Sequence, residues 1–282
     1  MSHRSVSDSD TRASTLTRSL SPSLARIVAA FELDEAFLVD IEDLERLRQE
    51  ANVKTTAKVI AKRLRDRGWL LPTQHVGVWE FAPGAHAGPI GRGHPFIEVK
   101  ATLKADPKLN LAVCLSSALW AHGLIDKAPE RPEVAMPKGT SIPAGLKKSA
   151  RVVFFNWRLP TMYVRDTPTH SPATILMHFA ARPADVRSWS AVLDALPELY
   201  EQVELSDLHQ ELAGRTVADR TRLAYLMQGI DSHLAFRLAP PDHGKVWFGP
   251  RGPLKRHSQT FNLADTVLPI SPAELKPHSR NR

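Results

Sequence analysis

The chain has 282 residues, 43% hydrophobic and 24% charged, the composition of a soluble globular protein long enough for two domains of ordinary size. A single cysteine, Cys114, excludes an internal disulfide, and no run approaches the roughly 18 to 20 apolar residues that a membrane-spanning helix requires. The net charge is +7, yet residues 1–83 hold 12 Lys+Arg against 12 Asp+Glu, so the whole excess lies beyond residue 83.

Residues 1–20 are rich in Ser and Thr, with Arg4, Arg12 and Arg18 among them, and lack the apolar segment of a secretion signal. They read as a disordered tail, and the protein is expected to be cytoplasmic. Pro22 suits the first turn of a helix running to about Phe31. Ala36–Val39 is a short apolar run expected to form a small strand. Asp40 is a candidate N-cap for a helix over Ile41–Ala51, with acids in its first turn as the helix dipole favours. Asn52-Val53 makes a turn into the stretch Lys54–Gly68. There Ala57, Ile60, Ala61 and Leu64 recur on one side of a 3.6-residue period. The opposite side carries Thr55, Lys58, Val59 and Lys62, with Lys54, Arg63 and Arg65 on its flanks. Residues 54–67 hold six cations against Asp66 alone. Gly68 ends the helix, and Trp69–Phe81 reads as a hairpin with its tip at Thr73-Gln-His-Val-Gly77.

Helix, turn, helix, glycine and hairpin in that order form a winged helix-turn-helix, placed at residues 21–84. In that motif the second helix enters the major groove by its N-terminal residues. The candidate DNA contacts are therefore Lys54, Thr55, Thr56, Lys58, Val59, Lys62, Arg63 and Arg65, with Gln74 and His75 in the wing. Cations focused on one face suit a phosphate backbone, because each neutralised phosphate releases condensed counterions.

Glycines and prolines from Phe81 to Pro95 read as a linker, leaving residues 85–282 as a second domain. Helices are expected over Phe96–Ala105 and Leu111–His122, and an extended segment over Glu133–Met136. Arg151–Trp157 is the best strand in the chain, followed by a weaker one at Thr161–Arg165. Helical periodicity then marks Pro172–Ala181, Asp185–Ala195, Pro197–Gln202, Leu205–Ala213 and Val217–Gly229. Short strands return at Lys245–Phe248 and Val267–Ile270. The fold class is α+β, a winged helix followed by a mixed α/β domain. Two further basic groups, Lys147, Lys148 and Arg151, and Arg251, Lys255 and Arg256, are candidates for a secondary nucleic-acid surface.

Catalytic signatures are scarce. Gly88–Gly93 has glycines at phosphate-loop density without the strand before or the Lys-Ser/Thr after. Twelve histidines show no zinc spacing, and Ser116 and Ser117 lack a nucleophile elbow, so no cofactor, metal or catalytic residue is expected. Glu98-Val-Lys100 has the E-x-K spacing of metal-dependent nucleases, but Phe96, Val99 and Leu103 repeat at helical spacing and only Glu80 lies nearby upstream. Beside DNA binding itself, two readings stay open on these residues: this nuclease, and a winged-helix regulator that senses a small ligand. A large apolar pocket with convergent polar groups would favour the second.

Several segments in order resemble the AbiEi family of bacterial AbiE-type antitoxins, especially its longer actinobacterial members. They are Val78–Gly84, Leu115–Leu124, Met136-Pro-Lys138, Ile142–Gly145, Ser171–Met177, Arg222–Met227 and Val246–Phe248 with Asn262, spanning roughly residues 25–270. The family usually has an acidic residue where this chain has Ala173 or Thr174. The resemblance implies an N-terminal winged helix that binds inverted repeats in double-stranded operator DNA and represses its own operon. It also implies a C-terminal domain that counters a neighbouring nucleotidyltransferase toxin without forming a stable complex with it.

Overall fold

The structure, a computed structural model, describes residues 18–86 and 88–277, and most of the expected N-terminal tail lies outside them. The chain divides into two compact units, at residues 1–97 and 98–282.

In the first unit the elements run α1 (Pro22–Leu33), β1 (Leu38–Asp40), α2 (Ile41–Glu50), α3 (Ala57–Asp66), β2 (Leu70–Pro72) and β3 (Val78–Phe81). The three strands form an antiparallel sheet in the order β1-β3-β2. Asp40 caps α2 reciprocally: its carboxylate accepts from the amides of Glu42 and Asp43, and Asp43 accepts from the Asp40 amide. Arg48 is ion-paired with Glu45 and donates to the Val53 carbonyl at 2.9 Å, which ties the α2–α3 turn to the body of α2. Asn52 occupies the left-handed region in that turn, with φ of 50°. Ala57, Ile60, Ala61 and Leu64 enter a core with Leu24, Ile27, Val28, Phe31, Leu44, Leu47, Trp69 and Phe81.

Two expectations shift here. Helix α3 starts at Ala57 with Thr56 as its N-cap, so Lys54 and Thr55 belong to the preceding turn. The glycine- and proline-rich stretch after Phe81 is bound to the first unit rather than hanging free. The Gly84 amide donates to Glu32 Oε1 at 2.8 Å, the Arg92 amide to Glu80 Oε1 at 2.6 Å, and Pro89 packs where a Gly68 side chain would stand. Composition alone suggests a linker there, because these partners lie far back in the chain.

The second unit opens with α4 (Ile97–Ala105), whose first residue closes the first unit. It then runs β4 (Ala112–Val113), α5 (Leu115–Ala121), β5 (Glu133–Met136), α6 (Ala144–Ser149), β6 (Arg151–Phe154), β7 (Met162–Val164) and β8 (Thr167–Thr169). Next come α7 (Pro172–Ala181), α8 (Trp189–Glu201), α9 (Leu205–Leu212), α10 (Val217–Met227) and α11 (Ser232–Leu238). Strands β9 (Val246–Phe248), β10 (Arg256–Ser258) and β11 (Leu263–Asp265) complete it. A five-stranded mixed sheet has the order β6-β5-β4-β8-β7, and a three-stranded sheet the order β10-β11-β9. Helix α7 is buried from Ala173 to Ala180, as a helix apolar on all sides must be.

Leu111–His122 is not one helix. Ala112–Val113 pairs with β5, and the chain turns at Leu115, whose φ of 49° is left-handed, before α5 begins. An apolar run of this length fits a buried strand or a buried helix equally well. Asp185–Ala195 and Pro197–Gln202 merge into the single helix α8 with Pro197 inside it, and the last sheet uses Leu263–Asp265 rather than Val267–Ile270. The fold is mixed α+β.

Since Leu64 is fully buried, Leu64→Ala should destabilise the first unit by about 2–5 kcal/mol, whereas exposed Lys58→Ala should change stability by no more than about 0.5 kcal/mol. Denaturant unfolding of the two variants measures the contrast, and equal effects would contradict the core assigned to α3.

Candidate nucleic-acid interface

The buried stripe of α3 dictates what its other side offers. Lys58, Val59, Lys62, Arg63 and Arg65 are all exposed, Val59 to 40%. Helix α3 has no acid in its first turn, and the Thr56 hydroxyl makes no capping bond. The first amides of the helix, at its positive dipole end, are therefore left without a side-chain cap. Lys54 and Thr56 are exposed beside that end, and Thr55 is half-buried.

The wing is a tight loop held from within. Thr73 Oγ1 donates to the Val78 carbonyl at 2.8 Å, and the His75 amide donates back to Thr73 Oγ1 at 3.2 Å. Gly77, with φ of 87°, lets the chain return into β3. Gln74 is exposed and His75 half-buried, while Val76 at the tip is 97% exposed. Val76, within the tip that the sequence marks, thus presents an apolar side chain to solvent at the end of the wing. The expected tail also contributes: the Arg18 guanidinium lies 3.8 Å from the centroid of the Trp69 ring and bonds the Ala82 and Pro83 carbonyls. Trp69 Nε1 donates to the Arg18 carbonyl at 3.2 Å, so the chain is docked from Arg18 onward.

The secondary basic candidates separate into two kinds. Lys147 and Lys148 are exposed in the last turn of α6, and Arg251 is exposed. Arg151 is instead ion-paired at 2.8 Å with buried Glu133 and bonded to the Asp185 carbonyl. Arg256 pairs with buried Asp265 at 3.1 Å and donates to the Leu268 and Pro269 carbonyls. Lys255 Nζ donates to the Val267 carbonyl at 2.9 Å. Arg151 and Arg256 thus act as counterions within the fold, to carboxylates distant in sequence.

Glu98 and Lys100 lie on helix α4 rather than a strand, and Lys100 pairs with Asp166 at 3.7 Å. Among the described residues no three His, Cys, Asp or Glu side chains are grouped to share a metal ion. Cys114 is buried, and burial pushes its thiol pKa up, which opposes thiolate chemistry. No described helix is long and apolar enough to cross a membrane.

At the start of α7, where this chain departs from the acid usual in the resembled family, Thr174 donates its hydroxyl to Glu211 Oε1 at 2.9 Å. Glu211, fully buried on α9, also accepts from the amides of Arg158 and Leu159 and from Arg215 at 2.8 Å. A carboxylate is supplied there from another helix. Close by, His178 stacks on Phe155 with ring centroids 4.0 Å apart and lies 5.6 Å from the ring of His170. Both histidines are buried, and none of their four ring nitrogens has a hydrogen-bond partner among the described residues.

Residues 111–229, the heart of the second unit, match the family model of the AbiEi antitoxin C-terminal domain. Over this stretch the chain is similar to the antitoxins of that family, which supports an antitoxin class for the protein. The RV2827C protein from Mycobacterium tuberculosis, known from its crystal structure, is similar in fold over 91% of this chain and 95% of that chain, with a TM-score of 0.77 and 21% sequence identity. No curated protein matches the chain.

Burial lowers the His170 pKa to about 3, and His178 is likewise held well below the ordinary histidine value by burial and by the neighbouring His170. A folded pKa below the unfolded one means that stability is intact above about pH 6.5 and falls as pH drops toward 3, by up to about 1.4 kcal/mol per pH unit for each histidine. Urea unfolding between pH 8 and pH 5 should show this slope, and His170→Phe should flatten it. A pH-independent midpoint over that range would contradict the buried neutral pair.

Proposed function

We propose that this protein is an autoregulatory DNA-binding antitoxin whose first unit is a winged helix-turn-helix. The observation that carries the reading is the face of α3, where Lys58, Lys62, Arg63 and Arg65 stand exposed opposite a fully buried apolar stripe, with the β2–β3 hairpin following as the wing. The uncapped N-terminus of α3 suits a backbone phosphate, and Thr55, Thr56 and Val59 lie where such a helix meets base edges. Gln74, His75 and the exposed Val76 would follow the backbone or an adjacent minor groove. The preferred ligand is double-stranded operator DNA with inverted repeats upstream of the protein's own gene.

The second unit, as an AbiEi antitoxin domain, is assigned the task of countering a nucleotidyltransferase toxin encoded next door, acting without a stable complex. The chain itself acts as an antitoxin and not as an enzyme, in the cytoplasm.

One observation favours a second reading, a ligand-sensing regulator. A cavity of about 570 Å³ is lined by Ile125, Ala128, Pro129 and Ala191 and by charged groups of both signs, among them Glu130, Arg131 and Arg187. Its volume lies in the range of small-molecule sites. A metabolite that both raises the melting temperature and changes operator affinity would move the assignment to this reading.

The main test is binding of the full chain to a duplex from upstream of its own gene, measured across salt concentrations. Lys58→Ala combined with Lys62→Ala should weaken binding and flatten the log–log salt slope by up to about 2 units. The same variant should still protect a host from the adjacent toxin, since α3 is assigned to DNA alone. Unchanged affinity in a correctly folded double variant would sink the groove assignment, and loss of protection would tie the two activities together.

A further inference from the structure

Basic side chains converge on one small cavity of the second unit that the antitoxin assignment does not use. It has a volume of about 260 Å³ and is lined by His209 and Leu212 of α9, Ala213, Arg220 of α10, and Leu234, Arg237 and Leu238 of α11. Two arginines and a histidine from three successive helices thus share a concave site with no acidic side chain in its wall. Leu212 and Leu234 are buried and form an apolar floor.

The internal arginines of this unit show what a structural cation looks like: Arg151, Arg215, Arg222 and Arg256 each have a carboxylate within 3.2 Å. Arg220 and Arg237 do not. Arg220 gives one N–H to the Leu212 carbonyl at 3.3 Å, which leaves most of the donors of its guanidinium uncommitted. Arg237 has no ion pair or hydrogen bond among the described residues. Asp231, the acid that feels its charge, is occupied by the Leu234 amide at 2.8 Å and the Tyr200 hydroxyl at 2.6 Å. Two permanently charged groups facing one cavity repel each other, and a concave wall of one sign concentrates the opposite charge. Guanidinium forks match the oxygens of a phosphoryl group, with two parallel N–H···O bonds each.

We propose that the α9–α10–α11 cavity binds a phosphoryl group carried on a small body, whose apolar face rests on the Leu212 and Leu234 floor. A cavity of this size takes a phosphate with part of a sugar or base. The phosphoryl group can come from a free mononucleotide or from the terminal phosphate of a single strand, and the test separates them.

Full-length protein at 150 mM salt is titrated calorimetrically with inorganic phosphate, adenosine 5′-monophosphate, adenosine, and a short single strand with or without a 5′-phosphate. Adenosine 5′-monophosphate is expected to bind and adenosine not. A strand that binds only when 5′-phosphorylated would identify the strand terminus as a source, and binding confined to the mononucleotide would identify the free ligand. Arg237→Ala, which removes no described bond, should weaken binding about tenfold. Arg237→Lys should recover part of the loss, and Arg220→Ala should weaken binding similarly. If Arg220→Ala does not fold, the Arg237 pair decides alone. Absence of heat with all five probes, equal binding of adenosine and its monophosphate, or wild-type affinity in folded Arg237→Ala would overturn the site. Duplex binding by the first unit is read separately, so either assignment can fail without the other.

Discussion

Among the described residues, three carboxylates of the second unit are buried, and the cost of burying a charge decides what many of its basic residues can do. Glu133, Glu211 and Asp265 are each almost wholly removed from solvent and each is neutralised by an arginine, Arg151, Arg215 and Arg256 respectively. Backbone amides complete every set: Ser116 for Glu133, Arg158 and Leu159 for Glu211, Val267 and Leu268 for Asp265. An unpaired buried carboxylate costs several kcal/mol, so these arginines cannot leave to meet a ligand. The carboxylates also join distant parts of the chain: Glu133 links β5 to β6 and α5, Glu211 links α9 to α7, and Asp265 reaches Tyr225 on α10. Net charge is therefore a poor guide to the binding surface of this unit, and what matters is which cations remain unpaired.

The first unit obeys the opposite rule. Its α3 has one acid, Asp66, at its C-terminal end, and its cations point away from a core made of aliphatic and aromatic side chains. Among the described residues no buried carboxylate claims Lys58, Lys62, Arg63 or Arg65. The α2–α3 turn is fixed by Arg48 and the start of α2 by the Asp40–Asp43 capping box, so the cationic face is carried on a rigid frame. Residues 1–83 carry no net charge, so the cations of α3 form a local field that the acids elsewhere in that stretch balance.

The first unit was largely legible in the sequence because its signals are local. A 3.6-residue apolar period, an Asp N-cap, a glycine stop and an alternating hairpin each specify their element within a few residues, and all of them agree. The start of α3 at Ala57 and the docking of Arg18 on Trp69 were less legible: the first depends on where Thr56 leaves the helical region, the second on a contact 51 residues away. In the second unit the short strand before α5 was hidden inside an apolar run. It exists because β5 and β8 flank it. The roles of Arg151 and Arg256 could not be read at all, since a basic residue beside a strand looks the same whether it faces solvent or a carboxylate from elsewhere in the fold. The pocket around Arg220 and Arg237 was equally hidden, because its residues come from three helices whose packing no local pattern encodes.

Hydrogen–deuterium exchange of the full chain with and without a duplex from upstream of its own gene tests the assignment of α3 most directly. The account predicts slowed exchange confined, within the first unit, to the amides from Thr55 to Lys62 and to the wing tip from Thr73 to Gly77. Duplex binding that leaves both segments unprotected, or that protects only the second unit, would contradict it.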